Sequence, residues 1–237
     1  MMQFAHFFKE TKDWLAISRS LFFGFYAVQQ VSPVKYMDKK NITGVIFMTK
    51  TIHIALTGHR PPKLDGYNIN TPNYQSLMHD LKEYIRFQLK TYDIVWGHSG
   101  LALGADTIWS KAILEMKNEC PNRVFFHAEI PFWEQPNSWF KSSDTNFWQE
   151  QVDSADAYSV YDPDFGQFKK VESNAFAQKR RASKALQDRN IGMIDHADIL
   201  LAVYDGKSKG GTLNAINYAT DQNKTIQFIE TQKYFGK

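Results

Sequence analysis

From residue 51 onward the chain alternates short β-branched runs with longer amphipathic ones, and this alternation limits the possible folds more than any other feature. "TIHIALT" (51–57) is strand-like and ends at Gly58. "NYQSLMHDLKEYIRFQLK" (73–90) then places Leu77, Leu81, Tyr84, Ile85 and Leu89 at helical spacing. The pattern repeats: strands are expected at 93–99, 123–132, 157–162, 198–204 and 225–230. Helices are expected at 104–118, within "EQPNSWFKSSDTNFWQEQVDSA", at 173–197 with Ser173 or Asn174 as N-cap, and at 211–221. Strands separated by helices of this length imply βαβ units, hence an α/β fold with a mostly parallel sheet and helices on both faces.

No internal repeat or linker interrupts residues 48–237, so one domain of about 190 residues is expected there. Residues 1–47 stand outside the alternation as an N-terminal extension, with apolar patches interrupted by Lys9, Glu10, Lys12, Asp13 and Arg19. These breaks fit neither a membrane span of roughly 18 apolar residues nor a secretory leader. Met48 lies just before the first strand, and we expect translation to start there. The extension holds six basic and three acidic side chains, which account for the whole net charge of +3. The pI of about 8.7 therefore says nothing about the domain, and a nucleic-acid partner is not expected. A single cysteine, Cys120, excludes an internal disulfide and a cysteine-rich metal site, and a reducing, cytoplasmic setting is expected.

In an open parallel sheet, ligands bind at the carboxyl ends of the strands. Three such ends carry unusual residues. In "LTGHRPPKL" (56–64), Gly58 lets the chain turn, and His59 and Arg60 stand at the tip. In "GHSGLALGAD" (97–106), Gly97, Gly100 and Gly104 keep the backbone bare for an anion, and Asp106 sits where it could cap free amides or accept a sugar hydroxyl. In "DGKSKGGTLNAINYA", Gly210, Gly211 and Thr212 offer amides, a hydroxyl and a helix dipole. Each glycine run alone suits a flexible turn equally well, but all three fall on one edge of one sheet.

Arg189 would either form an exposed salt bridge worth ~0.5 kcal/mol or grip a phosphate through its planar fork. "KRRASK" (179–184) is expected to be a solvated face, and Trp133, Trp139 and Trp148 core or interface rings rather than base-stacking platforms. His59, His98 and His127 show no zinc spacing, so no metal is assigned.

In order, "ALTGHRP", "SGLALGAD", "RNIGMIDHADILLAVYDG" and "GGTLNAINYA" resemble the SLOG superfamily, the Rossmann-like lineage of DprA and the Lonely Guy phosphoribohydrolases, and within it the YspA/YpsA-like branch found in bacteria and phages. The resemblance covers about residues 51–230. It implies a three-layer Rossmann-like fold that binds a nucleotide or nucleotide-derived ligand, the NAD and ADP-ribose types included, as a sensor or carrier. It would place Gly58, His59 and Arg60 in the first loop, and Ser99, Gly100, Gly104, Ala105 and Asp106 in the second. Arg189 and Asn190 would border the pocket, and Gly210, Gly211 and Thr212 would hold the phosphate, with Asp205 and Asn214 beside them as further candidate contacts.

No cofactor is implied, and the aromatic surplus leaves room for a homodimer interface. The Lonely Guy phosphate motif runs into catalytic glutamates, whereas the residue two after Thr212 here is Asn214, which cannot act as a general base. No catalytic residue is therefore assigned. A nucleotide N-glycosidase using Asp106 or Asp205 is the alternative, and DprA-like single-stranded DNA binding is a third reading.

Overall fold

The computed structural model describes Val28–Gln29 and residues 49–236. The expected start at Met48 and nearly all of the extension lie outside the described residues. The elements are β1 (Val28–Gln29), β2 (Thr51–Gly58), α1 (Pro72–Gln88), β3 (Ile94–Ser99), α2 (Ala105–Glu119), β4 (Val124–Ile130), α3 (Ser142–Asp153) and β5 (Ala157–Val160). They continue with α4 (Phe165–Val171), α5 (Ala175–His196), β6 (Ile199–Tyr204), α6 (Gly211–Asp221), β7 (Thr225–Glu230) and α7 (Thr231–Phe235).

Six parallel strands run in the order β5-β4-β3-β2-β6-β7, and the two residues of β1 pair antiparallel with β5 at the edge. The expected three-layer Rossmann-like fold is therefore present. Each expected strand and helix forms, within a few residues of its expected ends. Two short helices carried too few residues to show a period: α4, and α7, which docks on α1 through Tyr234 and Lys233 to Asp80.

Alternation along the strands divides the core. Ile52, Ile54 and Leu56 of β2 point to one face and pack with Leu77, Leu81 and Ile85 of α1 and Ile108, Trp109 and Ile113 of α2. Ala55 points to the other face and, with Leu200, packs under Met193 and Ile194 of α5 and Ala215 and Ala219 of α6. Small residues at Ala55, Ala215 and Ala219 let this second helical layer sit close. Asn174 caps α5 by accepting from the Phe176 and Ala177 amides at 2.9 and 3.3 Å.

Chain order reverses at β2. From β2 the chain steps outward through β3, β4 and β5, then α5 returns it to β6 on the other flank of β2. The loops leaving β2 and β6 thus diverge to opposite faces and open the crevice in which such sheets hold ligands.

Candidate functional site

The loop after β2 turns at Gly58, where a Cβ would lie 2.4 Å from the Ala105 Cβ and 2.9 Å from that of Val203. His59 is buried, although it was expected at the tip. Its Nε2 accepts the Asp205 amide at 3.1 Å, and its ring lies 5.4 Å from that of Tyr204. Burial lowers its pKa below the ordinary imidazole value, and the nearby Asp205 carboxylate offsets only part of this. A neutral His59 therefore ties the β2 loop to the β6 loop. Arg60, the next residue, is left exposed.

The loop after β3 is filled by the protein itself. Arg189 reaches from α5 across Gly100 so closely that a Cβ there would lie 1.0 Å from its Nη1. Nη1 donates to Asp106 Oδ2 at 3.1 Å, and both side chains are buried. Arg189 Nε has no hydrogen-bond partner among the described residues.

Both expected roles of these two residues change. The salt bridge is internal rather than exposed, and Asp106 spends its carboxylate on Arg189 and the Ala102 amide rather than capping its own helix. Burial pushes the Asp106 carboxyl upward, against the pull of Arg189 and Arg60. Gly104 has φ of +110°, a backbone that disfavours a side chain, and a Cβ there would strike the His59 carbonyl oxygen at 2.4 Å. Ala105 donates its amide to that carbonyl. Ser99 is fully buried and donates to the Asp106 carbonyl at 3.1 Å. Ser99, Gly100 and Ala105 thus join loop to loop, while Gly104, packed against the His59 carbonyl, also borders a cleft.

The loop after β6 is open. Gly210 has φ of +137°, nothing stands within 4 Å of a Cβ built on it, and no side chain caps α6. Gly211 is exposed and has one neighbour, Asn190 Nδ2 at 3.9 Å from its built Cβ. The first-turn amides of α6 therefore face outward at the positive end of its dipole. Thr212 donates its hydroxyl to the Gly58 carbonyl at 3.0 Å, which fixes this turn beside the β2 loop. Asp205 is held within its own turn, accepting from the Lys207 and Ser208 amides at 2.9 and 2.8 Å and from the Ser208 hydroxyl. Although burial pushes Asp205 up, those bonds outweigh it and hold the carboxyl below the usual range. Asn214 is exposed and borders a groove of about 270 Å³ between α5 and α6, together with Asn190 and Gly211.

Two connected clefts on the opposite flank escaped sequence reasoning. One of about 330 Å³ is lined by Tyr67, Leu103, Gly104, Thr107, Trp139 and Asp144 among others, and one of about 470 Å³ adds Arg60 and Phe140. Tyr67 and Phe140 expose 53% and 106% of their reference surface, so this wall is aromatic and open. Of the three tryptophans weighed from sequence, Trp148 is core, Trp133 lies edge-on to Tyr158, and Trp139 lines the clefts. Lys179, Arg180 and Lys184 are exposed, as a solvated face requires.

Under α5 lies a second concentration of chemistry that residue spacing did not show. His98 and His127 are direct register partners on β3 and β4, and with Glu129 they bring three donor atoms within 4.8 Å of one another. His59 stands apart from this group, in the β2–β6 junction.

A 133-residue stretch is 32% identical to the "Uncharacterized SPbeta prophage-derived protein YoqJ" of Bacillus subtilis (strain 168), covering 51% of this chain and 67% of that protein. The sequence profile described as the YspA SLOG family matches residues 54–234, from within β2 to within α7. The match takes in β3 to β7, the latter part of β2 and all three strand-end loops, and the chain belongs to the YspA SLOG family.

Proposed function

We propose that this chain binds a nucleotide or nucleotide-derived ligand, of the NAD or ADP-ribose class, as a cytoplasmic sensor or carrier. The observation that carries the reading is the uncapped N-terminus of α6, with Gly210 and Gly211 unwalled, at the point where the loops of β2 and β6 diverge. A phosphate there would meet backbone amides and a helix dipole. Arg60 would supply the charge, since Arg189 is already committed to Asp106. The aromatic clefts beside Arg60 offer a place for a base, with Tyr67 and Trp139 available for stacking. Asn190 and Asn214 on the other flank suit a sugar hydroxyl. A second copy of the chain is a further expected partner.

Binding is preferred over N-glycosidase chemistry because both candidate acids are engaged, Asp106 by Arg189 and Asp205 by its own turn. Single-stranded DNA binding lacks support, because the basic residues of α5 form an ordinary solvated face.

The test is a thermal-shift and calorimetric screen against AMP, ADP, NAD and ADP-ribose, using wild-type protein, Gly211→Asp and Arg60→Ala. A ligand at 100 times its Kd stabilises by about 2.7 kcal/mol. The reading expects one nucleotide to stabilise wild type and both variants to bind it at least tenfold more weakly. No shift with any nucleotide, or equal binding by Gly211→Asp, would overturn it. Release of free base that persists in wild type and stops in Asp106→Asn would move the protein to the hydrolase class.

A further inference from the structure

We propose that His98, His127 and Glu129 form a transition-metal site of the zinc class, with His196 closing it, on the α5 face of the sheet. The site is separate from the strand-end crevice: His196 lies seven residues, or about two helical turns, along α5 from Arg189.

Glu129 Oε1 is the hub. His98 Nδ1 lies 2.9 Å from it, His196 Nδ1 3.0 Å and His127 Nε2 3.8 Å. A tetrahedral zinc with bonds of 2.0–2.1 Å needs donors separated by roughly 3.3 Å; the three carboxylate–imidazole spacings bracket that value, and the donors of His98, His127 and Glu129 lie within 4.8 Å of one another, so the imidazoles would close in on the ion. A metal entering here would displace the protons through which the Nδ1 atoms of His98 and His196 hydrogen-bond to Glu129 Oε1, releasing them to solvent, and would draw His127 inward.

Supporting contacts of the kind metal sites use are already in place. Tyr161 donates its hydroxyl to Glu129 Oε2 at 2.7 Å and thereby orients the carboxylate. His53 Nδ1 lies 2.9 Å from His98 Nε2, the nitrogen left over once Nδ1 binds metal. Ser159 Oγ lies 2.9 Å from His127 Nε2, the ligand nitrogen itself, so a metal would take the place of this hydrogen bond.

A buried carboxylate on a central strand needs partners in any case, and a plain hydrogen-bond network would provide them. The arrangement exceeds that need. His98, His196 and Tyr161 already satisfy both Glu129 oxygens, and His127, whose Nε2 is bonded to Ser159, still comes within 3.8 Å of Oε1 with its ring stacked 4.9 Å from that of His98. Three imidazoles converging on one carboxylate form a borderline-soft nitrogen-rich set, suited to zinc, cobalt or nickel rather than magnesium or calcium. His196 keeps 39% of its side-chain surface exposed and His127 keeps 12%, so an ion has a way in.

The test uses chelator-treated full-length protein titrated with Zn(II) by calorimetry and with Co(II) by visible absorption. Expected results are one metal per chain, the intense visible bands of tetrahedral cobalt, and a Tm raised by zinc. His127→Ala and Glu129→Gln should each lose at least tenfold in affinity, while His79→Ala, at an exposed histidine outside the cluster, should bind as wild type. Circular dichroism checks that the variants fold. X-ray absorption of zinc-loaded wild type, expected to show histidine scattering, gives a measure that needs no variant. Absence of zinc binding, cobalt bands of octahedral type, or full affinity in both cluster variants would overturn the proposal.

Discussion

The loops after β3 and β6 are both glycine-bearing turns from a parallel strand into a helix, yet they have opposite surroundings. After β3, Gly100 lies under the Arg189 guanidinium and Gly104 against the His59 carbonyl, so glycine serves close approach between parts of the protein. After β6, Gly210 and Gly211 face open space at an uncapped helix end. A glycine-rich strand end is therefore not in itself a phosphate seat. What decides is whether the protein's own groups already occupy the space above it.

The sharpest way to break this contrast is to empty the filled loop. Arg189→Ala would leave Asp106 buried without its cation, and we expect a loss of 3–5 kcal/mol in denaturant unfolding, roughly the cost of breaking a buried pair. A loss below about 1 kcal/mol would show that the loop does not depend on the arginine. Gly100→Ala comes next. Its methyl must displace the guanidinium, and we expect a cost of about 1–3 kcal/mol by overpacking.

The junction between the β2 and β6 loops sets an intermediate effect, read as pH dependence. His59 is held below its unfolded value near 6.5, so the unfolded chain binds more protons in that window. Its contribution to stability should be complete above pH 7 and decline as pH falls below 6.5. The Tm difference between wild type and His59→Ala should accordingly narrow from pH 7 to pH 5, and a constant difference would count against a neutral His59. Asp205, held low by its turn, should add a second decline below about pH 4.

The smallest expected effect belongs to the open loop. Gly211→Ala meets only an ordinary contact, so stability should stay within about 1 kcal/mol of wild type or rise slightly. Under the proposed function the same change should weaken nucleotide binding, because its methyl stands where a phosphate would approach the backbone. If Gly100→Ala and Gly211→Ala cost the same stability, the contrast fails.

Much of the fold was legible in residue order. The period-2 and period-3.6 runs named six parallel strands and five helices, and an N-cap at Ser173 or Asn174 proved to be Asn174. The site was legible as an edge and not as an arrangement. Asn190, Gly211 and Asn214 border one groove, Thr212 braces the neighbouring turn against Gly58, and Arg60 lines the clefts of the other flank, whereas His59, Ser99 and Asp106 turn inward to hold the loops together and Asp205 is held by its own turn. Tyr67 and Phe140 gave no signal because they lie in irregular segments without a period. His98 and Glu129 were hidden because their partnership runs across neighbouring strands, 31 residues apart.

Composition and periodicity alone determined a parallel α/β domain with three polar, glycine-bearing strand ends on one edge, because each element's buried face is written in its own local repeat. Tertiary structure alone decided which of those ends stays open. It brought Arg189 across 83 residues to fill one loop and Thr212 across 154 to brace another, and set histidines of adjacent strands around one carboxylate. Such meetings depend on strand order and register, which no local stretch of residues records.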